Sequence, residues 1–210
     1  MVNLSEETRK YILNHLSVKD CLKKGVINYS ALSRVILEDL GLPEKKMSSE
    51  AILVAARRFK DEFDKKSSDK EIMTLYSNSN IDIKNNIVVF TLMKNVYPES
   101  LVEIEKDIKK NNDLFFSIEG TKTITIILQY KNSKIIESKF KNNILKKCDK
   151  LVLLTITSEG IESIPGAVAY ITSLFFENEI NIEEFISCHY DTLIVIKSDN
   201  LEKAIKFLKF

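Results

Sequence analysis

The hydrophobic rhythm of the chain changes near residue 64. Up to Phe63 apolar residues recur at helical spacing, and beyond Glu71 they gather into runs of strand length. Between the two lies Asp64 to Lys70, DKKSSDK, a polar stretch without a hydrophobic anchor, which predicts a linker. Upstream the pattern predicts four helices. Ser5 is placed to cap one running towards Leu16, with Glu6 and Glu7 in the first turn, where carboxylates favour the helix dipole. Ser17 with Asp20 opens a second, short helix, and Gly25 offers a left-handed stop after Lys24. Asn28 opens a third, with Leu32, Val35, Ile36 and Leu40 on one face and Gly41 and Pro43 closing it. Ser48 or Ser49 opens a fourth. Its apolar stripe is Ile52, Leu53, Ala56, Phe59 and Phe63, and Arg57, Arg58, Asp61 and Glu62 look outward.

Downstream, Ile87 to Leu92, Leu114 to Ile118 and Ile124 to Leu128 are β-branched runs that predict strands. Leu101, Ile104 and Ile108 mark a helix among them, and Ile136, Phe140 and Ile144 supply a second helical face. The same order then returns. LVLLTIT from Leu151 is a strand, AVAYITSLFFE behind a Pro-Gly start is a helix, NEINIEEFISCH and DTLIVIKSD are two strands, and NLEKAIKFL is a closing helix. The expected fold class is α+β, with an all-helical domain over residues 1–68 and two copies of one β, α, β, β, α unit at 69–148 and 149–210.

The stretch from Leu151 to Leu208 resembles the ACT domain, a ferredoxin-like βαββαβ module that binds amino acids and regulates other proteins. A unit of that family has a fourth strand after its second helix. Here Phe210 lies two residues past the last helical apolar position, so the second unit is one strand short and its sheet edge needs a partner. The layout resembles the regulatory region of aspartate kinases, in which the segment ahead of the first ACT unit crosses over to complete the second. That resemblance implies interleaved units. SNIDIKNNIVVFTL becomes two strands joined at Lys84 to Asn86, Asn80 to Ile83 pairs with the second sheet, and Ile144 to Cys148 completes the first.

Composition removes several alternatives. At 44% hydrophobic and 29% charged the chain is an ordinary soluble one. No apolar run approaches the roughly 18 residues that cross a bilayer. The start, MVNLSEETRK, lacks the apolar core of an export signal, so a cytoplasmic protein without membrane contact is expected. Cys21, Cys148 and Cys188 have no CxxC spacing and predict small buried hydrophobes rather than a disulfide framework or a metal site. None of the five glycines is spaced as a phosphate loop or a dinucleotide fingerprint requires. The catalytic domain of an aspartate kinase is not accommodated ahead of Glu71, and no catalytic residue and no cofactor are expected. His15 reads as helix-surface or cap decoration. His189 follows Cys188 on a strand, where neighbours point to opposite faces, so thiol and imidazole do not meet. Glu183 and Glu184 read as a solvated edge.

What remains is binding. Ser163, Pro165 and Gly166 lead into a helix whose first amides suit an α-carboxylate; Pro165 has no amide hydrogen to lose there, and Gly166 lets a ligand approach the backbone. In the resembling family, ligands are held by this loop and by the strand that begins with an Asn-Ile pair, here Asn181 and Ile182. The resemblance thus implies the contact set Glu159, Ile161, Ser163, Ile164, Gly166, Ala167, Asn181 and Ile182. It also implies a small amino acid as ligand and a homodimer formed through the ACT sheets. The first unit departs from the pattern: its loop NVYPES has Pro98 but no glycine, and its second strand opens with Asn112, Asp113 and Leu114.

Residues 1–68 carry 13 Lys and Arg against 10 Asp and Glu, a mild excess that permits contact with phosphate without requiring it. The third and fourth helices, joined by LGLPEKKMS, look similar to a helix-turn-helix unit, though with a longer turn than that motif uses. Carried onto this chain, Ser48 and Ser49, with Ile52 behind them, would read bases and Lys45 and Lys46 would meet phosphates. Arg57 and Arg58, late in the helix, would touch backbone phosphates or simply complement the helix dipole. Three roles stay open for the helical domain: DNA contact under amino-acid control, docking onto a separate biosynthetic enzyme, or helical packing and dimerisation.

Overall fold

Asn3, not Ser5, starts the first helix of the computed structural model, which describes residues 3–43, 45–64, 69–96 and 98–209. The Asn3 side chain accepts from the Glu6 amide at 3.4 Å and opens α1, Leu4–Asn14. Asn and Ser cap equally well, and the earlier start brings Leu4, Tyr11 and Ile12 to one core. His15 ends α1 as a cap: its Nδ1 lies 2.7 Å from the Tyr11 carbonyl and its ring stacks on Tyr11. It also occupies the position before α2, Leu16–Lys24, in place of Ser17, and α2 stops at Gly25 with φ 70°. Asn28 accepts from the Ala31 amide at 3.0 Å and opens α3, Tyr29–Asp39. The buried stripe of α3 is Leu32, Ile36 and Leu37 while Val35 is 47% exposed, so the inward face is rotated by one side from the one expected. The fourth helix, α4 at Lys46–Asp64, begins ahead of Ser48 because the Lys45 carbonyl takes the amides of both Ser48 and Ser49 at 3.0 Å. Ile52, Ala56 and Phe59 of α4 close the core, with Leu53 half-buried; the Phe63 side chain lies outside the described residues.

These helices form one compact unit, Met1–Ser67, and Ser68–Phe210 form another. The second opens with an element the sequence reading did not expect. Where a linker and strands are predicted, Asp69–Ser77 form α5, with Ile72, Leu75 and Tyr76 buried. There follow β1 Asn80–Met93, α6 Pro98–Lys110, β2 Phe115–Glu119, β3 Thr123–Gln129, α7 Ser133–Lys139 and β4 Ile144–Thr157. The remainder is α8 Ala167–Glu177, β5 Glu184–Cys188, β6 Asp191–Lys197 and α9 Leu201–Phe207. Phe140 and Ile144 do not continue α7: Phe140 leaves helical geometry with φ −118°, and Ile144 begins β4.

All strands join one antiparallel sheet in the order β2-β3-β1-β4-β6-β5. Its two central strands are 14 residues each. Asn80 to Lys84 pair with Thr157 to Leu153, and Ile87 to Leu92 pair with Leu151 to Ile144. Residues 80–93 are thus one bent strand rather than two. The bend falls at register shifts around Ile87, where Asn86 on β1 and Lys150 on β4 both take φ 56°. A left-handed residue inside a strand turns its backbone and lets one strand serve two differently twisted regions. Valine is poorly tolerated in that conformation, so Lys150→Val is expected to cost about 1–2 kcal/mol, read by urea denaturation, with Lys150→Asn near neutral.

Alternation along the strands sorts the core. Val88, Phe90 and Leu92 face Ile104, Ile108 and Ile136 of α6 and α7. Val152, Leu154, Ile194 and Ile196 face Ile72, Tyr76, Ile171 and Phe175 of α5 and α8. The opposite face is also buried, with Ile87, Val89, Ile127, Leu151, Leu153, Leu193 and Val195 against Phe116 and Ile186. Only strand residues and their flanks contribute to that cluster, so the sheet curls to cover it. The cysteines depart from the sequence reading: Cys21 and Cys148 are half-buried and Cys188, at the end of edge strand β5, is exposed. Among the described residues no helix is long and apolar enough to cross a membrane.

Candidate functional site

The loop from β4 to α8 is where the sequence places a ligand, and α5 determines its shape. After Thr157 the chain makes one turn of 3-10 helix, Ile161–Ser163, and reaches Gly166 at φ 94°, a value that favours glycine. A methyl group on Gly166 would stand 3.4 Å from Ile72 Cδ1. The hydroxyl of Tyr76 donates to the Ala167 carbonyl at 2.8 Å, and its ring stacks on Tyr170. Tyr170 in turn donates to Met73 Sδ at 3.3 Å. Burial pushes the Tyr76 phenol up to about 12, with the neighbouring Tyr170 adding to the shift. The Ala167 amide is already bonded to the Ile164 carbonyl, and Ala167 is 1% exposed. α5 thus holds the Ala167 end of the loop through Tyr76, while Gly166, Val168 and Ala169 stay exposed.

Beside this loop lies an open cavity of about 730 Å³, lined by Lys70, Glu71, Thr74, Leu75, Asn78, Asn80, Thr157, Glu159 and Ile164. Helical spacing explains one wall: Lys70, Thr74 and Asn78 are four apart on α5, as are Glu71 and Leu75. Asn80 and Thr157 pair in register and form the floor. Glu159 and Ile164 come from the loop.

Of the eight positions implied by the resemblance, the structure brings Glu159 and Ile164 into this cavity. Ile161 and Ala167 belong to the core, and Ser163 and Gly166 are exposed on the loop. Asn181 donates to Glu183 Oε1 at 3.2 Å, Ile182 packs against the core, and neither lines the cavity. Lys70, Glu71, Thr74, Asn78 and Asn80 were missed. The signal that could have found them is the Ile72, Leu75, Tyr76 spacing, which turns DKEIMTLYSN into a helix with a polar outer face.

In the first half of the sheet the equivalent strand start is occupied by the protein itself. Asp113 receives Lys131 Nζ at 2.6 Å and Asn132 Nδ2 at 3.1 Å, and these bonds hold its carboxyl below the ordinary range. The Tyr97 position and the Pro98 side chain of the NVYPES loop lie outside the described residues.

Two further candidates behave as structure. His189 occupies the β5–β6 turn at φ 41°, with Nδ1 3.9 Å from Glu162 Oε1. Glu184 is half-buried rather than a solvated edge, and desolvation raises its pKa from the usual 4.5 against the pull of Lys146. A carboxyl with a raised folded pKa favours folding most below its unfolded value and loses that contribution as pH rises. Glu184→Gln is accordingly expected to raise the melting temperature at pH 7, with the gain fading below pH 4.5, as thermal scans across pH would show. Among the described residues no group of His, Cys, Asp and Glu is placed to hold a metal ion.

In the helical unit, Lys45 and Arg58 are exposed and Ser48 is half-buried. The Ser49 hydroxyl is buried, Arg57 lies over the Tyr29 ring at 5.4 Å, and the Lys46 side chain is outside the described residues.

Residues 148–209 match the family model described as the ACT domain. No curated protein matches the chain. Among solved structures, the aspartate kinase of Clostridium acetobutylicum is similar with 17% identity and a TM-score of 0.52, over 62% of this chain and 34% of that one. A chain from the crystal structure of aspartokinase alpha and beta subunits is similar with 16% identity and a TM-score of 0.53, over 66% of this chain and 95% of that one. The chain therefore corresponds to about a third of the Clostridium enzyme and to nearly all of the aspartokinase subunit chain. Residues 148–209 thus match the ACT domain model and lie in a sheet whose fold those aspartate kinase chains share.

Proposed function

We propose that this protein is a non-enzymatic, amino-acid-responsive regulator. The observation that carries the reading is the ACT domain at residues 148–209, whose β4–α8 loop borders a cavity of ligand size. The long central strands support two interleaved ACT units, residues 69–148 and 149–210, with Asn80 to Ile83 completing the second and Ile144 to Cys148 the first. The ligand is held at the second unit by the β4–α8 loop. Two chains pair through their sheets in the cytoplasm, and symmetry then gives two equivalent sites. Melting temperature across the twenty amino acids tests this: a ligand at 100 times its dissociation constant adds about 2.7 kcal/mol, and no shift with any of them sinks it.

The ligand acts by stabilising one arrangement of the ACT dimer over another, which requires different affinities for the two. That changes how the helical domain meets its partner. In the first form the partner is DNA, with Lys45, Lys46, Arg57 and Arg58 towards phosphates and Ser48 and Ser49 near base edges. A fluorescent duplex pool should then be retained at low ionic strength and released by salt. Absence of retention removes the DNA form. The second form is supported by the likeness to a chain of an aspartokinase with alpha and beta subunits, matched over 95% of its length. There the helical domain docks onto a separate amino-acid biosynthetic enzyme, and duplex retention is absent.

A further inference from the structure

The helical unit has a patterned surface that its own core does not use. α4 is the longest of the described α-helices, and Ile52, Ala56 and Phe59 turn one side of it to the core. On the far side two rows, each with residues three and four apart, cross at Val54. Met47, Ala51 and Val54 form one, and Glu50, Val54, Arg57 and Asp61 form the other. All of them are exposed, Met47 by 83% and Val54 by 46%.

The charges of this face are not matched within the helical unit. Glu50, Arg57 and Asp61 form no ion pair among the described residues. Asp61 stands one turn beyond Arg57, yet the Arg57 guanidinium lies over the Tyr29 ring at 5.4 Å. A guanidinium stacked on a ring still presents its N–H edge to a carboxylate. The order of the charges points to what covers them. Lys45, just ahead of α4, is positive, Glu50 negative, Val54 neutral, Arg57 and Arg58 positive, and Asp61 negative, so the sign inverts about Val54. A second α4 laid antiparallel, Val54 against Val54, sets Glu50 of each chain beside Arg57 of the other and Asp61 beside Lys45. A parallel pair in register sets like on like. A nucleic-acid backbone, negative throughout, would meet Glu50 and Asp61 as well as the arginines.

We infer that the outer face of α4 is a contact between two copies of this chain, packed antiparallel about Val54, with reciprocal Glu50 to Arg57 pairs setting the register. Met47, Ala51 and Val54 supply the attraction by leaving water, and the small Ala51 lets the helices approach closely. Exposed ion pairs add little free energy each, so the charges select orientation rather than affinity. This contact is separate from pairing through the ACT sheets and does not rest on amino-acid binding. It engages Lys45 and Arg57, so it competes with the DNA form above for the same side chains.

The test is disulfide trapping in the full chain. Val54→Cys is made together with Cys188→Ser, because Cys188 is exposed, and is oxidised with copper phenanthroline. Val35→Cys on α3, a position 47% exposed, serves as the control in the same background. The expected result is a covalent dimer from Val54→Cys that forms about tenfold faster than from the control, as held proximity gives. Added to Val54→Cys, Glu50→Arg or Arg57→Glu alone should slow trapping about tenfold by setting like charges together, and the two combined should restore it. The substituted positions on α4 are exposed, so every variant is expected to keep the parent melting temperature. Trapping no faster than the control overturns the contact. Trapping that ignores the charge reversals, or that the double reversal does not recover, overturns the antiparallel register and the proposal with it.

Discussion

Tyr76→Ala should destabilise the sheet unit by about 3–5 kcal/mol, as removal of a large buried aromatic does. The phenol is 1% exposed, packs on Tyr170 and donates to Ala167. Truncation leaves a cavity under α5 and removes the second hydrogen bond to the Ala167 carbonyl at the start of α8. Tyr76→Phe separates the two contributions. It keeps the ring and removes only the donor; the Ala167 carbonyl keeps its bond within α8, so the expected loss is that of one hydrogen bond, about 0.5–1.5 kcal/mol. The pair also predicts a pH signature. With the folded phenol pushed up to about 12 from 10, folding loses stability as pH climbs through that window, because the unfolded chain ionises first. Tyr76→Phe should lack that loss, so urea midpoints of parent and variant should converge as pH rises above 10. Parallel midpoints across that range would mean that Tyr76 does not hold α5 to the loop.

Phe90→Ala should cost a similar amount, about 3–5 kcal/mol, and its reach is more informative than its size. Phe90 is 0% exposed in the core under α6 and α7. On the interleaved reading the damage cannot remain there, because the β1 strand that holds Phe90 also supplies Asn80 to Lys84 to the edge of β4. Amides of Ile194 and Ile196 on β6 should lose hydrogen-exchange protection in step with those of Ile126 and Leu128 on β3. Protection retained on β6 after collapse on β3 would show two halves that fold apart and would remove interleaving from the account. The helical unit, with its own core around Ile36 and Ile52, should keep its protection in either case.

The parts of this fold that were legible in the sequence are those that local chemistry decides. Asn28 and Gly25 stand where capping and left-handed termination require them. The runs LVLLTIT and DTLIVIKSD are continuously apolar, which marks them as strands buried on both faces. Contacts distant in sequence hid the rest. EIMTLYS has three apolar residues beside a run of charges, and its helix gains its buried face only against α8, about ninety residues away. The first residue of α4 lies earlier than expected because the Lys45 carbonyl accepts the amides of Ser48 and Ser49, which draws both serines into the helix.

The site follows the same division. Glu159 and Ile164 were reachable through resemblance because they lie on the loop that the family pattern marks. Lys70, Glu71, Thr74 and Asn78 were not, since they fall in the stretch read as linker and strand. Asn181, expected at the ligand, donates to Glu183 and lies outside the cavity. A single helix that periodicity did not recover thus supplies one wall of the cavity beside the loop.

The account stands or falls on whether the second half of the sheet holds an amino acid at the β4–α8 loop. Amide spectra of the isotopically labelled full chain titrated with each of the twenty amino acids address that directly. The predicted result is saturable shifts concentrated on Thr74, Asn78, Asn80, Thr157, Glu159 and Ile164, with residues 98–139 unmoved. No shifts at saturating ligand, or shifts confined to residues 98–139, would contradict it.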